Sequence, residues 1–544
     1  MPPLTRLVRT PSLALLVLAC TGSIDAGKSA GRPTKPTNGP TTATPAPDAV
    51  VPAGLRRLTT VQYQNTVRAL LGDAIKVPTE LDPDDPEATF SSVGGYRITT
   101  SPGGVLKYED AAYDLARQVF ADPALQQSVL GCAPAAPGCA ASFVKSFGRR
   151  AWRRPLLASE LARYTKLVDD VGKLLSADKG FEYALAGLLQ SPHFMYLPEL
   201  GESDRGQLRF TSHELAARLA YLLTDGPPDP ELSAAADRNE LTAPAALRAQ
   251  FERIISTPRA RPALIGFFGQ LLDLDQLADL AKDPDVYPAQ SATLFAAMRR
   301  EAEQMIDATT LAKRGALLDL LDLRTAFADA ELAKLYGLAA AGTQPLPPAS
   351  ERGGILTTAA WLSIYAKPYS SSPTLRGVWV RERLLCQEVP PPPPAVNNVL
   401  PNPSERAAGG PRTTRQVLED HRKDPACAAC HELFDSVGVA FERFDGVGAY
   451  RAKEEKLDID TSGTLDGKPY GNVGELVALL KADPRVTECL VRSLYHDVTG
   501  HERLPGEDPL VQKLLPAFRS KPDFRDLLTQ MVTSDWFRAP AAPL

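Results

Sequence analysis

The chain has 544 residues, with 60 basic and 65 acidic side chains, a net charge of -5 and seven cysteines. This length exceeds one ordinary hydrophobic core and predicts three or four folded units. The charge balance leaves no basic excess for a phosphate-binding surface, so we expect no nucleic-acid partner.

The first twenty residues have the pattern of an export signal. Arg6 and Arg9 supply positive charge, and the apolar run LALLVLAC ends at Cys20. The ending VLAC resembles a bacterial lipobox, in which the signal is cut before the cysteine and that cysteine is acylated. The alternative is an ordinary secretory peptide with an incidental cysteine. We predict lipidation at Cys20 and a lipoprotein on the periplasmic or cell-surface face of a bacterial membrane.

Residues 21–54 are rich in Pro, Gly, Thr and Ser. Such a segment cannot bury enough apolar surface to order itself, and we expect a tether between anchor and folded part. No later apolar run reaches the length of a membrane-spanning helix. The sequence therefore indicates membrane attachment through the lipid only.

Amphipathic helical patterns recur from Leu55 almost to the C-terminus. In LRRLTTVQYQNTVRALLG, Thr59 precedes Gln62 by three residues, which is the spacing of a helix-capping box. The segment RFTSHELAARLAYLLTDGPP has the same spacing between Thr211 and Glu214. The expected fold class is mainly α, with several helical modules.

Strand signals are few. They concentrate in GAYRAKEEKLDIDTSGTLDGKPY, where Gly-rich turns separate short alternating runs and predict a short β-hairpin region. Breaks elsewhere include the five prolines from Pro390 to Pro394. The predicted units are an N-terminal helical module at 55–130, an Arg-rich helical module with a local disulfide loop at 131–205, a central helical domain at 206–345, a small module at 350–455 and a C-terminal module at 456–544.

The stretch DPACAACHELFD places Cys427, Cys430 and His431 in the spacing C-x-x-C-H. Two thiols about one helical turn apart can add to a haem, and the following histidine can then ligate the iron, so this spacing is typical of haem c attachment. A thioredoxin-like redox pair would need a βαβ setting, and a zinc site would need two further ligands, with His421 the nearest candidate. Chance is a poor explanation with only seven cysteines and six histidines. We predict one covalent haem c, with thioethers at both cysteines and His431 as the proximal ligand.

The ligand on the other side of the iron decides between electron transfer and ligand chemistry. Methionine or histidine there gives a saturated, electron-carrying iron, whereas an open position permits peroxide or dioxygen chemistry. His496 is the first candidate, ahead of His501 and Met531, and His421 lies upstream. The sequence does not decide among them.

The four remaining cysteines form an even set, which allows disulfides in an exported protein. Cys132 and Cys139 bracket GCAPAAPGCA, a short loop that can close locally. Elimination then pairs Cys386 with Cys489.

Other motifs favour structural roles. DIDTSG imitates the start of a calcium loop, but the twelfth position is Pro469, so we expect a turn. FGRRAWRRPL predicts a helix end with cation-π and salt-bridge packing in preference to an anion site. His193, in SPHFMYL, is expected in a buried helix terminus. No G-x-S-x-G or H-E-x-x-H occurs, so the common hydrolase signatures are missing and enzyme activity stays open.

The motifs follow an order that resembles the planctomycete-type cytochrome c proteins: LRRLTTVQYQNTVRALLG, FVKSFGRRAWRRPL, SPHFMYL, RGGILTTAAWLS, SSPTLRGVWVRERLLC, HRKDPACAACHELFDSVGVAFERFDGVG, DIDTSGTL and VTECLVRSLYHDVTG. Those proteins are exported multi-domain proteins of planctomycetes and myxobacteria whose other modules are domains of unknown function. The resemblance covers about residues 55 to 540. It implies a cytochrome c-like module at 350–455, with haem on Cys427, Cys430 and His431.

Many relatives read Met-Asp-Pro where this chain has Phe434, Asp435 and Ser436. A residue three positions after the proximal histidine lies on the same side of the haem, so we expect the difference to affect local packing and no iron ligand. The family implies no established substrate.

We expect electron transfer with an unidentified redox partner. One alternative is a haem enzyme of the peroxidase or oxidase type with an open iron position. The other is a structural or polymer-binding surface lipoprotein. The large part before residue 350 is oversized for a simple electron shuttle and is a candidate for docking a partner or holding a substrate.

Overall fold

The computed structural model describes residues 51–52, 54–204, 206–315, 317–390, 410–423, 425–502 and 507–541. The predicted signal peptide, the Cys20 lipidation site, most of the tether and all but the first of the five prolines lie outside these residues. The described residues belong to one compact unit.

The described residues are mainly helical, which confirms the predicted fold class. The helices of the first half are Thr60–Leu71, Ser91–Arg97, Pro102–Ala121, Pro123–Leu130, Cys139–Trp152, Ala158–Leu174, Ala177–Leu189, Pro192–Met195, Ser212–Thr224, Pro230–Asp237, Pro244–Ile255 and Arg261–Leu271. Those of the second half are Ala292–Ile306, Ala330–Tyr336, Ala359–Ile364, Pro373–Trp379, Thr414–His421, Pro425–Gly438, Val473–Ala482, Pro484–Thr499, Glu507–Ser520, Phe524–Val532 and Asp535–Arg538. Short 3-10 and π turns connect several of them, including the 3-10 turn Pro258–Ala260 and the π turn Val380–Leu384.

Both predicted capping boxes are present. The Thr59 hydroxyl accepts from the Gln62 backbone N–H at 3.2 Å, and the Thr211 hydroxyl accepts from the Glu214 N–H at 3.2 Å. In each case the side chain three residues on also accepts from the capping residue's N–H, which satisfies two helix-end donors.

One strand was not predicted. Leu55 belongs to the strand Gly54–Arg57, not to the first helix, and this strand pairs antiparallel with Tyr196–Glu199. The strand partner lies about 140 residues away in sequence, so periodicity in a local window cannot reveal it.

Every sheet among the described residues has two strands. Lys453–Glu454 pairs with Leu457–Asp458, and Gly463–Leu465 pairs with Lys468–Tyr470, which confirms the hairpin region predicted after the C-x-x-C-H motif. The remaining pairs are Val51–Pro52 with Pro540–Ala541, Glu202–Asp204 with Gln207–Arg209, and Thr325–Ala328 with Gly342–Pro345.

Two hydrophobic clusters fill the interior. The first draws on residues from 58 to 221, including Val67, Phe143, Phe147 and Leu185. The second draws on residues from 90 to 537, including Phe268, Trp361, Phe441, Leu476 and Met531. The C-terminal third therefore shares one core with the central helices.

Both predicted disulfides are present. Cys132 bonds to Cys139, seven residues away, and Cys386 bonds to Cys489, 103 residues away. The second bridge ties the end of the turn Val380–Leu384 to the helix Pro484–Thr499.

Among the described residues, no helix is both long enough and apolar enough to cross a bilayer.

Candidate functional site

The C-x-x-C-H motif lies on the helix Pro425–Gly438, which we call the motif helix. Residues three and four apart on a helix share a face, so Cys427 lies on the same side of the helix as Cys430 and His431. Cys427 is buried, while Cys430 and His431 are partly exposed. Neither thiol is in a disulfide, although the other four cysteines of the described residues are paired. Two free thiols and an imidazole therefore meet along one edge of the motif helix.

The imidazole of His431 is held by a carboxylate. Nδ1 of His431 lies 2.9 Å from Oδ2 of Asp435, one helical turn further on. Asp435 is buried, and its other oxygen accepts a hydrogen bond from the Thr374 hydroxyl at 2.8 Å. A carboxylate on one ring nitrogen makes that nitrogen the proton donor, which leaves Nε2 with the lone pair that a metal binds.

No role for Asp435 was predicted from the sequence. The sequence does indicate this contact, because a histidine and an aspartate at positions i and i+4 of a helix lie next to each other. Such a pair is also common as an exposed interaction on the protein surface. The burial of Asp435 distinguishes this pair from a surface pair, and the sequence does not show that burial.

Phe434 is the residue three positions after His431. It is buried, and its ring lies with its centroid 4.9 Å from that of His431. The ring of Phe434 therefore packs beside the imidazole of His431.

Two glycines let the motif helix cross the helix Pro373–Trp379 at very short range. A Cβ atom at Gly377 would overlap the carbonyl oxygen of Phe434, and one at Gly438 would overlap the carbonyl oxygen of Pro373. Glycine is therefore required at both positions, since any side chain would force the backbones apart. The close crossing brings Thr374 over Asp435.

Buried arginines fix the same region. Arg376 has no exposed surface, and burial lowers its pKa to about 10. Its guanidinium donates to four backbone carbonyls, those of Leu362, Phe441, Phe444 and Asp445, at 2.8 to 3.1 Å. Arg381 donates from Nε to the carbonyl of Leu433 at 2.9 Å. These bonds attach the motif helix and the loop after it to the preceding helices.

The candidates for the sixth iron position lie in different surroundings. His421 touches His431 directly, with ring centroids 4.6 Å apart. An iron cannot sit between two rings in contact, so this arrangement does not place His421 as the opposite ligand. Nε2 of His496 lies 3.0 Å from a carboxylate oxygen of Glu507.

His501 and Met531 are also engaged elsewhere. The ring of His501 lies 4.4 Å from that of Tyr96, and burial lowers the pKa of His501 to about 4. Met531 is fully buried in the second hydrophobic cluster. These contacts do not show which residue would be the sixth ligand of the iron, so His496 and the other candidates stay predictions.

The minor motifs have mostly structural roles. Asp460 accepts from the backbone N–H of Ser462 at 2.9 Å, as expected for a turn. The expectation that His193 is buried is wrong, because its side chain is 46% exposed and lies over Trp152. It stands on the one-turn helix Pro192–Met195, which is too short to cover it. Within the described ranges, no group of three or more His, Cys, Asp and Glu side chains is arranged to hold a metal ion.

The residues present fit a covalently attached haem. Two free thiols lie one turn apart, and the adjacent imidazole has one nitrogen fixed by a buried carboxylate and the other available. This donor set matches thioether attachment and axial ligation, and its neighbours hold it on a rigid helix crossing.

Four family models match the chain. They are PSD3 (DUF1587) at residues 56–121, PSD5 (DUF1595) at 139–199, PSD4 (DUF1592) at 210–338 and PSCyt3 (DUF1588) at 352–454, and each is described as a protein of unknown function. The PSCyt3 match contains the motif helix together with Thr374, Arg376 and Gly377. No curated protein and no solved structure matches the chain.

Proposed function

We propose that the chain is an exported mono-haem c-type protein that exchanges electrons with a periplasmic or surface partner. Its four matched domains show that it belongs to the planctomycete-type cytochrome c domain proteins. The main support for the proposal is the motif helix, on which two free thiols lie beside a histidine that is hydrogen-bonded to a buried carboxylate.

The proposal assigns a role to each residue of the C-x-x-C-H motif and to the two residues that support its histidine. When bound, haem c supplies a one-electron couple at its iron. Cys427 and Cys430 hold the group through thioethers, and Nε2 of His431 ligates the iron. Asp435 accepts the Nδ1 proton and fixes the plane of the imidazole, and Thr374 fixes the carboxylate.

The position of the motif helix suits exchange with a partner. Cys427 is buried, but Cys430 and His431 are partly exposed and Glu432 is exposed. One edge of the attachment site is therefore buried and the other reaches the surface, where a partner can approach it.

Export and lipid anchoring at Cys20 are part of the proposal. Two disulfides support them, since such bridges persist mainly in oxidising compartments. The pattern of the first twenty residues supports them independently.

A haem oxidoreductase with an open iron position is the second candidate, and the Asp435 carboxylate favours it. An anionic partner on Nδ1 makes the imidazole a stronger donor to the iron and stabilises its more oxidised states. Peroxide or dioxygen chemistry benefits from such a ligand, whereas a simple electron carrier does not require it.

Spectroscopy on the full chain, expressed with the haem c maturation machinery, tests the proposal. A carrier shows a six-coordinate low-spin haem in both redox states and does not bind carbon monoxide. Binding of carbon monoxide to the reduced protein would replace the carrier with the oxidoreductase. A protein that acquires no haem would refute both.

A further inference from the structure

An arginine-lined pocket of about 280 Å³ lies far along the chain from the motif helix. It is formed by the end of the helix Cys139–Trp152, the start of the helix Ser212–Thr224 and the turn Pro258–Ala260. We call it the arginine pocket because five arginines line it, namely Arg149, Arg150, Arg153, Arg154 and Arg259. It lies where residues of the PSD3, PSD5 and PSD4 matches meet.

Two of these arginines are neutralised, as the sequence predicted for a helix end. Arg149 forms an ion pair with Asp237. Arg154 donates two hydrogen bonds to Glu160, at 2.9 and 2.8 Å, and lies over the ring of Trp152. Their charges are already balanced and do not call for a ligand.

Arg150 and Arg259 are both exposed and have no bonded carboxylate, although Arg259 interacts electrostatically with Asp229. Within the described part of the chain, neither forms a hydrogen bond or an ion pair, and the guanidinium of Arg150 only lies over Phe147, 5.5 Å from its centroid. Asp229 also lines the pocket, but its two oxygens accept from Arg253 at 2.8 and 2.9 Å. Two guanidinium groups therefore line the pocket without a bonded carboxylate.

Arg153 adds a buried positive charge. The side chain is 7% exposed, and its guanidinium donates to the Tyr221 hydroxyl and to the backbone carbonyls of His193, Phe194 and Tyr196. Its Nε atom has no hydrogen-bond partner, and no carboxylate among the described residues contacts it. A buried charge without a counter-charge is costly, and an anion in the pocket would offset that cost.

The arginine pocket continues into a larger cleft of about 900 Å³, which we call the polar cleft. Arg259 and Ala69 line both. Hydroxyl and amide side chains line the cleft, namely Thr59, Asn65, Ser91, Thr224 and Gln270. On one wall, Gly266 has open space where a side chain would stand, so a ligand can approach the helix backbone there.

Charge separates the two spaces. The arginine pocket is lined by five arginines and one carboxylate, that of Asp229, whereas the polar cleft is lined by four carboxylates and three arginines, namely Asp73, Asp84, Asp225, Asp275, Arg68, Arg259 and Arg299. The pocket therefore favours the negative group of a ligand more strongly than the cleft does, and the hydroxyl-bearing part of the ligand fits the cleft.

We propose that the arginine pocket and the polar cleft bind a sugar or short oligosaccharide that carries one terminal carboxylate or sulfate. The anionic group is held by Arg150 and Arg259 in the pocket, and the hydroxyl-bearing body lies in the cleft. This site lies in the part ahead of residue 350 and does not depend on the proposed electron transfer.

Isothermal titration calorimetry on the full chain tests this proposal, with glucuronate, glucose 6-sulfate, glucose and inorganic sulfate as probes. We expect one of the two charged sugars to bind at least about tenfold more tightly than both glucose and inorganic sulfate. The tighter charged sugar identifies the anionic group. If glucose binds as tightly as the charged sugars, the arginines contribute nothing to the affinity. If inorganic sulfate binds as tightly as the charged sugars, the polar cleft contributes nothing. If no probe binds, the proposed site is refuted.

Matched variants separate the pocket from general charge effects. Arg150→Gln and Arg259→Gln are each expected to weaken binding of the charged sugar by about tenfold. Arg163→Gln and Arg248→Gln, which remove exposed arginines outside the pocket, are expected to leave binding unchanged. Arg150 and Arg259 have no hydrogen bond to lose, and Arg163 and Arg248 are exposed. All four variants should therefore fold, which circular dichroism verifies. Unchanged affinity in both pocket variants contradicts the proposal.

Discussion

Nδ1 of His431 and Oδ2 of Asp435 lie 2.9 Å apart on the same face of the motif helix. The carboxylate is buried and is itself fixed by the Thr374 hydroxyl. A histidine held in this way presents its second nitrogen in a fixed direction, which is what an axial haem ligand needs. The pair therefore connects the packing of the two crossing helices to the chemistry proposed for the motif.

Asp435→Asn tests this relationship. The amide oxygen can still accept from Nδ1, but the negative charge is lost, so the imidazole becomes a weaker donor and the reduced iron is favoured. We expect the midpoint potential of the haem-loaded protein to rise by about 60 mV or more, which corresponds to about 1.4 kcal/mol for one electron. Potentiometric titration followed by absorbance measures it.

Glu432→Gln is the control for that experiment. Glu432 is next to His431 in sequence and is exposed, so its replacement removes the same charge without touching the imidazole. We expect a much smaller change in potential. Equal shifts in the two variants would show that only general electrostatics, and not the hydrogen bond to Nδ1, sets the potential.

Gly377→Ala should disrupt the helix crossing. The added methyl group would overlap the carbonyl oxygen of Phe434, and the motif helix would have to move. We expect a loss of about 2 kcal/mol in the free energy of unfolding, measured by urea denaturation. Gly266→Ala is the opposite case, because its Cβ meets open space on a helix, and we expect no loss or a gain of about 0.5 kcal/mol. A harmless Gly377→Ala variant would contradict the close crossing.

The two disulfides should differ in their contribution to stability. The bridge between Cys386 and Cys489 closes a segment of 103 residues, and that between Cys132 and Cys139 closes one of seven. Loop-closure entropy gives about 4 to 5 kcal/mol for the longer loop and about 2 to 3 kcal/mol for the shorter one. Replacing each pair by alanine and comparing urea midpoints tests this order, and a larger loss from the short loop would reverse it.

Asp225 and Asp497 predict a specific pH dependence. Burial raises the pKa of each carboxyl to about 6, above the value near 4 of an unfolded aspartate. The folded state therefore keeps the protons longer than the unfolded state. The stability from these groups is complete below about pH 4 and is lost as the pH rises through about 6.

Asp497→Asn removes one of these titrations. The difference in the free energy of unfolding, variant minus parent, should increase by up to about 1.4 kcal/mol per pH unit between pH 4 and 6 and level off above pH 7. Urea denaturation at several pH values measures it. The exposed Asp169→Asn control should show a constant difference, and a constant difference for Asp497→Asn as well would contradict a protonated buried carboxyl.

Local rules predicted the helices and their caps well. Thr59 with Gln62 and Thr211 with Glu214 lie within one helical turn, so the sequence alone contains their geometry. The strand at Leu55 was missed because its partner is set by tertiary packing. Pairing of Cys386 with Cys489 was found by counting, which needs no knowledge of distance.

The site was predicted in part. Spacing was enough to name Cys427, Cys430 and His431, because attachment chemistry acts within one helical turn. Asp435 was visible as a neighbour of His431, but its burial depends on the glycine contact at Gly377, which no local pattern contains. The arginine pocket depends in the same way on which arginines find a carboxylate, and that is settled only by the fold.

The central claim is covalent attachment of one haem to the motif helix. Mass spectrometry of the denatured full chain, produced with the haem c maturation machinery, measures it most directly. We predict a mass increase of one haem that survives denaturation, and its loss when Cys427 and Cys430 are both replaced by alanine, while Cys132→Ala/Cys139→Ala retains it. A parent protein without the added mass, or a Cys427→Ala/Cys430→Ala variant that keeps it, would show that the motif helix does not bind haem covalently.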